Sequence, residues 1–267
     1  MRNPPLPERP EGAIGSLDRG LRLLQMLRDY GSLRVMDAAA HLGISRSSAH
    51  RLLQTLVYRG YAIQDDNHTY LPGPSLDAAP ARLSWTKDFR ALCQPHLHVL
   101  SRRSGESANL MVRVGTSVRF LGTVRAQSVY ATNDRDGIVM TAHRASGGKA
   151  LLSELADDTV RALYAEPTSG GASRLDDTEL TKLIADLAAT RKRGFAVNFE
   201  ETEAGVAAVG AAVRDKTGTA VGAVSLSMRS DRFTEKADTL LVPLLLDART
   251  QIEQDLKVVE LGHIPRH

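Results

Sequence analysis

The sequence predicts a chain of the α+β class with two domains. Leucine and alanine recur at helical spacing in three short segments within residues 16–75, and a hairpin-like segment follows them. Over residues 105–262, segments of strand character interleave with segments of helix character. A length of 267 residues accommodates both domains. We expect the second domain to hold an antiparallel sheet with its helices on one side.

Two further segments lie outside these domains. Residues 1–15 are rich in proline, arginine and glycine and poor in large apolar residues, which predicts a disordered arm. Residues 76–104 begin with a weakly patterned stretch and continue into a helical pattern over 89–103. We interpret them as a linker and a linker helix that can bend near Pro95.

The composition is that of folded globules without a strong general charge. Hydrophobic residues make up 42% of the chain, and a net charge of +3 with an isoelectric point near 9.1 leaves room for a local basic surface. No window is apolar and long enough for a membrane span, and the N-terminus lacks the apolar core of a signal peptide. The single cysteine, Cys93, forms neither an internal disulfide nor a multi-thiolate zinc site. We therefore expect a cytoplasmic protein.

The first predicted helix begins at Ser16, a residue type that caps helices, and ends near Gly31. Its apolar residues recur every three or four positions and should form one buried stripe. The residues of this stripe are Leu17, Leu21, Leu24 and Leu27.

A second and a third helix follow with a short turn between them. The second covers residues 35–42 and ends at Gly43, which supplies the left-handed terminator, and Ser45 caps the third, which ends before Gly60. The inward positions of the two helices are Ala38, Ala39, Leu42, Ala49, Leu52, Leu53 and Leu56. Because Ala39 lets the helices approach each other, the pair has the form of a helix-turn-helix.

The exposed face of the third helix carries hydrogen-bond donors and no carboxylate. Such a face suits the phosphates and base edges of double-stranded DNA, so we interpret it as a DNA-reading surface. Its residues are Ser45, Arg46, Ser47, Ser48, His50 and Arg51. The alternative is a small three-helix unit whose polar face is merely solvated.

Residues 61–64 and 69–71 predict a β-hairpin closed by a Pro-Gly pair, which would be the wing of a winged helix-turn-helix. The predicted tip is acidic and reads Asp65, Asp66, Asn67 and His68. We expect no close phosphate contact there, because the DNA backbone repels carboxylates. Arg2 and Arg9 of the arm could enter a minor groove instead, or the arm could make no contact.

The second domain reads as strands and helices in alternation. The predicted strands are residues 108–114, 118–124, 195–197, 206–213 and 220–227, and the predicted helices are residues 149–155, 178–191 and 233–256. A turn at residues 215–218 should join the last two strands as a hairpin.

Three stretches of the chain resemble the IclR family of bacterial regulators. The stretch SLDRGLRLLQMLRDYG, with DAAAHLGISRSSAHRLLQTLVYRGY after it, is similar to the DNA-binding domain of that family. SGGKALL, at residues 146–152, resembles the effector domain, and RKRGFAVNFEETEAGVAAVGAAVRDKTGTAVGAVSLS, at 191–227, resembles the most recognisable family segment. Ala49 departs from the pattern, because a larger β-branched residue is usual there.

The resemblance implies a linker helix that joins the winged helix-turn-helix to a C-terminal, GAF-like α+β domain. That domain would bind a small-molecule effector and assemble the chain as a homodimer or tetramer. Carried over position by position, the resemblance implies an effector pocket lined by Val129, Thr132, Met140, Ser146, Gly147, Asn198, Val206, Ala208, Ser225 and Ser227.

The residues themselves agree with a pocket at this place. Ser225 and Ser227 alternate with Val224 and Leu226, so two hydroxyls should project from one face of a strand. Small residues would leave room and let backbone N–H groups reach a carboxylate or carbonyl. These small residues are Gly147, Gly148, Ala207 and Ala208. The alternative is that the hydroxyls are ordinary solvent-facing groups.

Asn198 stands where well-known family members carry an acidic residue. A neutral amide both donates and accepts hydrogen bonds, whereas an acid would repel an anion. The ligand could therefore be neutral, such as an amide or an aromatic, or it could be a carboxylate.

Three other patterns look like sites but are better explained otherwise. On a helix, Cys93 and His96 share a face, whereas His98 points about 200° away from His96, so we expect no metal site. The Gly-Gly-Lys run lacks the upstream glycine and the Ser or Thr of a phosphate loop, and Lys149 should start a helix. The acidic residues Glu200, Glu201 and Glu203 have no nucleophile or histidine in their motif and read as a solvated turn.

The leading hypothesis is a ligand-responsive repressor of a catabolic or transport operon, as the resemblance implies. Its partners would be a small-molecule effector and operator DNA with an inverted or pseudo-palindromic repeat. We expect no enzyme activity, cofactor, metal or membrane partner. One alternative is a hydrolase or other enzyme fused to a DNA-binding head. The other is that the second domain is purely an assembly module, with regulation absent or carried through a partner or through oxidation of Cys93.

Overall fold

The computed structural model describes residues 12–65, 67–77, 84–127, 135–165 and 175–259. The chain divides into two compact units, Met1–Leu76 and Asp77–His267. Among the described residues, no helix is both long and apolar enough to cross a membrane.

The first unit is a helix-turn-helix with a wing, as predicted. Its elements are α1 (Gly15–Tyr30), α2 (Val35–Leu42), α3 (Arg46–Tyr58), the strands β1 (Ala62–Gln64) and β2 (Tyr70–Pro72), and the one-turn helix α4 (Pro74–Asp77). Gly31 and Gly43 end α1 and α2 with φ values of 71° and 63°, in the left-handed region that glycine adopts without strain. The strands β1 and β2 pair in antiparallel register, and Leu33 forms a bridge to Tyr70 beside them.

The prediction for the start of α1 is wrong. Ile14 occupies the N-cap position without a side-chain hydrogen bond, and Ser16 lies within the first turn. Leu17 and Leu21 are 59% and 53% exposed in the single chain, because the core of this unit covers only the second half of α1. The residues of α1 that do pack inward are Leu23, Met26 and Leu27, with Leu24 half-buried.

The predicted inward residues of α2 and α3 are confirmed. Six of them are buried, namely Ala38, Ala39, Leu42, Ala49, Leu53 and Leu56, and Leu52 is half-buried. Ala49 has no exposed surface, so a small side chain at this position fits directly against the helix pair.

The second unit is a six-stranded antiparallel sheet with helices. Its strands are β3 (Ser107–Val114), β4 (Ser117–Val124), β5 (Val139–Thr141), β6 (Ala196–Phe199), β7 (Val206–Arg214) and β8 (Ala220–Arg229), in the spatial order β5-β4-β3-β8-β7-β6. Its helices are α5 (Ser84–Ser104), α6 (Ser146–Leu152), α7 (Asp157–Ala165), α8 (Asp177–Arg193), α9 (Phe233–Lys236) and α10 (Val242–Val258). The sequence did not predict β5 and α7, and α5 begins five residues earlier than predicted.

Helices cover both faces of the sheet, so the prediction that they lie on one side is wrong. One face packs against α5 and α10, and the other packs against α6, with α7 and α8 beyond it. Eight consecutive residues of β7, Val206–Val213, are buried. A strand that is covered on both faces is apolar or small at every position, and not only at alternate ones.

The C-terminal helical region is interrupted, whereas the sequence predicts one helix over 233–256. α9 passes into a π-helical stretch, Ala237–Leu241, before α10 begins. Pro243 lies in the first turn of α10. Because proline has no N–H, the preceding turn loses an α-helical hydrogen bond and can take the wider geometry.

The hairpin between β7 and β8 is confirmed. Asp215 closes it, because its carboxylate accepts hydrogen bonds from the backbone N–H groups of Thr217 and Thr219, at 2.8 and 3.0 Å.

Candidate functional site: the α3 surface and a polar cavity on the sheet

All six residues predicted to read DNA lie exposed at the start of α3. Ser45 caps the helix and accepts a hydrogen bond from the backbone N–H of Ser48 at 3.2 Å. Ser47 and Arg51 lie on the ridge opposite the buried Ala49. The remaining predicted residues, Arg46, Ser48 and His50, flank this ridge and are also exposed.

Gln54 continues the same ridge one turn beyond Arg51 and is not among the residues predicted from the sequence. Its side-chain amide donates to Oε1 of Gln64 at 3.2 Å and to the hydroxyl of Tyr70 at 3.1 Å. These bonds tie α3 to the wing and fix the amide in place. The sequence did contain a signal for Gln54, because a residue three positions after Arg51 lies on the same face of a helix.

The acidic wing tip has a structural explanation. The Asp65 carboxylate accepts hydrogen bonds from the backbone N–H groups of Asn67 and Thr69, at 3.0 and 2.8 Å, and so builds the turn. His68 adopts a left-handed φ of 59° there. Asp66 and the arm residues Arg2 and Arg9 lie outside the described residues.

The second unit contains a cavity between α6 and the sheet that is lined by both polar and apolar side chains. Strand register brings its polar residues together, because Asn109 lies opposite Ser225, and Ala208 lies between Asn198 and Ser227. The lining residues are Asn109, Met111, Phe120, Arg135, Met140, Ala145, Ser146, Asn198, Thr202, Val206, Ala208, Ser225 and Ser227. The cavity has a volume of about 20 Å³, enough for roughly one water molecule.

The polar groups of the sheet face form a hydrogen-bond network. The Asn109 amide nitrogen donates to the hydroxyls of Ser225 and Ser227, at 3.3 and 3.2 Å, and its carbonyl oxygen accepts from Thr123 at 3.1 Å. Asn109, Ser225 and Ser227 are buried, where polar groups without partners are costly. The network keeps these groups inside the domain while they still face the cavity.

The structure brings together most of the predicted pocket residues. Those that line the cavity are Met140, Ser146, Asn198, Val206, Ala208, Ser225 and Ser227. Val129 and Thr132 lie outside the described residues. Six further lining residues were not predicted from the sequence, namely Asn109, Met111, Phe120, Arg135, Ala145 and Thr202.

Gly147 is not among the lining residues, and the small residues near it do not leave room for a ligand. A Cβ on Gly147 would overlap the Met111 side chain, and one on Gly148 would overlap the backbone of Ala142. A Cβ on Gly210 would lie 2.6 Å from the backbone nitrogen of Gly147. These glycines therefore allow α6 to approach the sheet closely.

Arg135 is the only charged residue among the described residues that line the cavity. Its Nη2 donates to Oε2 of Glu203 at 2.8 Å, and its guanidinium carbon lies 5.9 Å from the centre of the Phe120 ring. Burial lowers the pKa of Arg135, and the Glu203 carboxylate opposes this effect. Arg135 could not be predicted from the sequence, because the segment around it has no clear helix or strand periodicity.

The three glutamates of the turn between β6 and β7 are exposed, as a solvated turn predicts, and two of them also pair with buried cations. Glu203 contacts Arg135, Glu201 lies 2.6 Å from the buried amine of Lys149, and Glu200 accepts a hydrogen bond from Ser230. The buried cations Arg135 and Lys149 need Glu203 and Glu201 as partners, because a buried charge without a partner is costly.

Lys149 and Asn198, two residues that contact this turn, have roles in the fold. Lys149 lies within α6, which begins three residues earlier at Ser146, and also contacts Asp186 at 3.0 Å. The Asn198 amide donates to the Thr202 hydroxyl at 2.7 Å and accepts from the backbone N–H of Glu201 at 3.0 Å. Asn198 therefore shapes the turn as well as lining the cavity.

Cys93, His96 and His98 of α5 have separate surroundings and do not form one site. Cys93 is buried in the core, which raises the pKa of its thiol. His96 contacts the Asp255 carboxylate at 2.7 Å, and His98 lies 3.3 Å from the Gln94 amide. Within the described ranges, no group of three or more His, Cys, Asp or Glu side chains could hold a metal ion.

The fold and these two surfaces define a class of protein, a DNA-binding transcription regulator with a ligand-binding domain. Two family models match the chain: the IclR helix-turn-helix domain over residues 16–66, and the C-terminal domain of the bacterial transcriptional regulator IclR over residues 84–254. The chain belongs to the IclR family of bacterial transcription regulators.

Individual relatives agree with this assignment. The chain is 27% identical to the HTH-type transcriptional repressor AllR of Escherichia coli strain K12. The alignment spans 222 residues and covers 82% of each chain. Its fold resembles that of a transcriptional regulator from Rhodococcus sp. RHA1, with a TM-score of 0.58 and 27% identity over 92% of this chain and 98% of that one. An IclR homologue from Microbacterium hydrocarbonoxydans, solved with 4-hydroxybenzoate, has a TM-score of 0.57 and 22% identity over 91% and 100% of the two chains.

Proposed function

We propose that this protein represses transcription by binding operator DNA through α3 and that a small polar effector in the sheet cavity changes this binding. The observation that carries the proposal is the cluster of buried, hydrogen-bonded polar groups around Asn109, Ser225 and Ser227, on a sheet face that packing alone would fill with apolar residues. The AllR relatives are repressors, and a homologue was solved with 4-hydroxybenzoate. We place the regulated genes in a catabolic or transport operon and the protein in the cytoplasm with the DNA.

We further propose that the protein has no catalytic activity. The described cavity residues include the hydroxyls of Ser146, Ser225 and Ser227, but no histidine among them could act as their base. Turnover of a compound that binds in the cavity would contradict this proposal.

The chain is proposed to act as a homodimer on an inverted or pseudo-palindromic repeat, with tetramers as the larger assembly. Ile14 at the N-cap of α1 and Leu17 and Leu21 within α1 form an exposed apolar stripe at helical spacing, which suits a contact with a second copy. The predicted domains would be residues 16–75 and 105–262, with 1–15 as the arm and 76–104 as the connection. Sedimentation analysis should show that Leu21→Glu weakens self-association. A mass distribution equal to that of the wild type would show that the apolar stripe of α1 is not part of the contact between copies.

The DNA surface is tested with fragments that the wild-type protein selects from a random duplex library. Arg51→Ala should weaken binding by about 1–3 kcal/mol if the guanidinium contacts a guanine, with a smaller and sequence-independent loss if it contacts phosphate. Arg103→Ala, which removes the same charge from an exposed position of α5 in the second unit, is the control and should bind as the wild type does. Equal affinities of Arg51→Ala and the control would remove Arg51 from the interface.

The cavity is tested by calorimetry with a library of small polar metabolites that includes 4-hydroxybenzoate. Ser225→Leu fills the cavity and should abolish binding of any compound that binds the wild type. Thr181→Leu places the same side chain on the exposed face of α8 and should leave binding unchanged. Unchanged binding by Ser225→Leu would overturn the proposed pocket.

A further inference from the structure

The cavity combines neutral polar groups with a single cation. On the sheet side it presents the Asn109 amide and the hydroxyls of Ser225 and Ser227, and Arg135 supplies the only charge among the described lining residues. A buried site with one unit of positive charge and several neutral hydrogen-bonding groups favours a small anion that also has an uncharged part.

The Arg135 guanidinium has unused hydrogen-bonding capacity. Only 5% of the residue is exposed, its Nη2 donates to Glu203, and its Nη1 lies 3.5 Å from the sulfur of Met140. Its Nε is buried and has no hydrogen-bond partner in the described part of the chain. Because guanidinium groups bind carboxylates best through two parallel N–H donors, one bond to Glu203 leaves this group partly satisfied.

Glu203 and Arg135 differ in how easily they can leave the ion pair. The Glu203 side chain is 45% exposed, whereas that of Arg135 is only 6% exposed. A carboxylate near the surface can turn into water at small cost, while a buried guanidinium without a partner keeps its full desolvation penalty. Any exchange of partners should therefore replace Glu203 and retain Arg135.

We propose that the effector is a small organic carboxylate and that its carboxylate replaces Glu203 on Arg135. This inference rests on the proposed function of the cavity. The effector carboxylate would pair with the guanidinium, and its neutral part would reach the Ser225 and Ser227 hydroxyls. With room for about one water molecule, the cavity has to widen on binding, and displacement of the flexible Met140 side chain beside Arg135 provides the space.

The exchange would act on one end of the turn between β6 and β7. Glu203 accepts a hydrogen bond through its carbonyl from the backbone N–H of Val206, the first residue of β7, at 3.2 Å. The other end stays anchored, because Glu201 binds Lys149 of α6. Effector binding would thus release the Glu203 end of the turn and leave the α6 contact in place.

The test compares acids with their neutral analogues. Acetate, propionate and benzoate, and the primary amide of each, are titrated calorimetrically into the wild type, Glu203→Gln and Arg135→Gln. Removal of the competing carboxylate in Glu203→Gln should tighten binding of the acids about tenfold, and Arg135→Gln should weaken it at least tenfold, since hydrogen bonds to charged groups are worth this much. Binding of the amides should change little in either variant.

Controls separate this exchange from general effects on the turn and on folding. Glu200→Gln removes a neighbouring carboxylate that contacts Ser230, and it should bind the acids as the wild type does. Arg135→Lys keeps the charge and loses the planar donor pair, so its affinity should fall between those of the wild type and Arg135→Gln. Circular dichroism and binding to the selected DNA identify any variant that fails to fold.

Several results would overturn the inference. They are weaker acid binding by Glu203→Gln, equal binding of acids and amides, and no acid binding by either the wild type or Glu203→Gln. The proposed function would survive these results if metabolite binding is still lost in Ser225→Leu. It would fail separately if compounds bind Ser225→Leu as they bind the wild type.

Discussion

The two faces of the six-stranded sheet are built from alternate residues of the same strands, yet they differ in chemistry. Along β8, Val224 and Leu226 belong to the apolar core under α5 and α10, whereas Ser225 and Ser227 face the cavity beside α6. Apolar burial on the first face stabilises the fold without directional requirements. The second face contains buried polar groups that must be matched one by one. Such local exceptions to apolar packing are expected where a protein binds something.

The largest effect should come from the apolar face. Phe89 of α5 has no exposed surface and packs so closely on β8 that a Cβ on Gly222 would lie 2.5 Å from its ring. Phe89→Ala should lower the free energy of unfolding by about 3–5 kcal/mol, measured by denaturant titration. A loss below about 1 kcal/mol would show that this face is not the main source of stability.

A smaller effect is expected where α6 meets the opposite face. Gly210→Ala places a methyl group 2.6 Å from the backbone of Gly147, and neither backbone can yield easily. The expected cost is about 1–3 kcal/mol, together with weaker effector binding as α6 moves away. Gly20→Ala on α1, where nothing lies within 4 Å of the new Cβ, is the matched control and should be neutral or stabilising. Equal stabilities of the two variants would contradict the close contact.

The stability of the second unit should fall in acid because of a histidine on the side of the sheet that packs against α6. His143 precedes α6, and the centre of its ring lies 5.6 Å from the centre of the Tyr164 ring. Burial, and to a smaller extent the charge of Arg144, lowers the pKa of His143 from 6.5 to about 4. Below pH 6.5 the unfolded chain takes up a proton that the folded chain does not, so stability falls as the pH drops toward 4. Thermal melts from pH 7 to pH 5 should show a loss of about 2 kcal/mol from this residue. His143→Gln should show a correspondingly smaller loss, and an identical pH dependence would exclude His143 as its source.

The first unit could be predicted almost completely, because its signals are local. Gly31, Gly43 and Ser45 mark helix ends through their own backbone or side-chain chemistry. The error at Leu17 and Leu21 has a different cause. Helical spacing shows that a stripe is apolar, but it does not show whether the same chain covers it.

The second unit could be predicted only in part, because its site depends on strand order. Ser225 and Ser227 were visible through alternation within one strand. Their contact with Asn109 requires β3 to lie beside β8, which no local pattern encodes. The only local indication of this contact is that Asn109 is a polar residue next to the apolar residues of β3. Arg135 gave no hint, since its role depends on burial against Phe120 and on a partner 68 residues away in the sequence.

Control of DNA binding by the cavity is tested by measuring the affinity for DNA with and without a compound that binds the cavity. Fluorescence anisotropy with the selected DNA should show a shift in affinity for the wild type on addition of the compound. Ser225→Leu should bind DNA as tightly as the ligand-free wild type and show no shift. Equal shifts in both proteins would contradict the claim that the polar face of the sheet controls DNA binding.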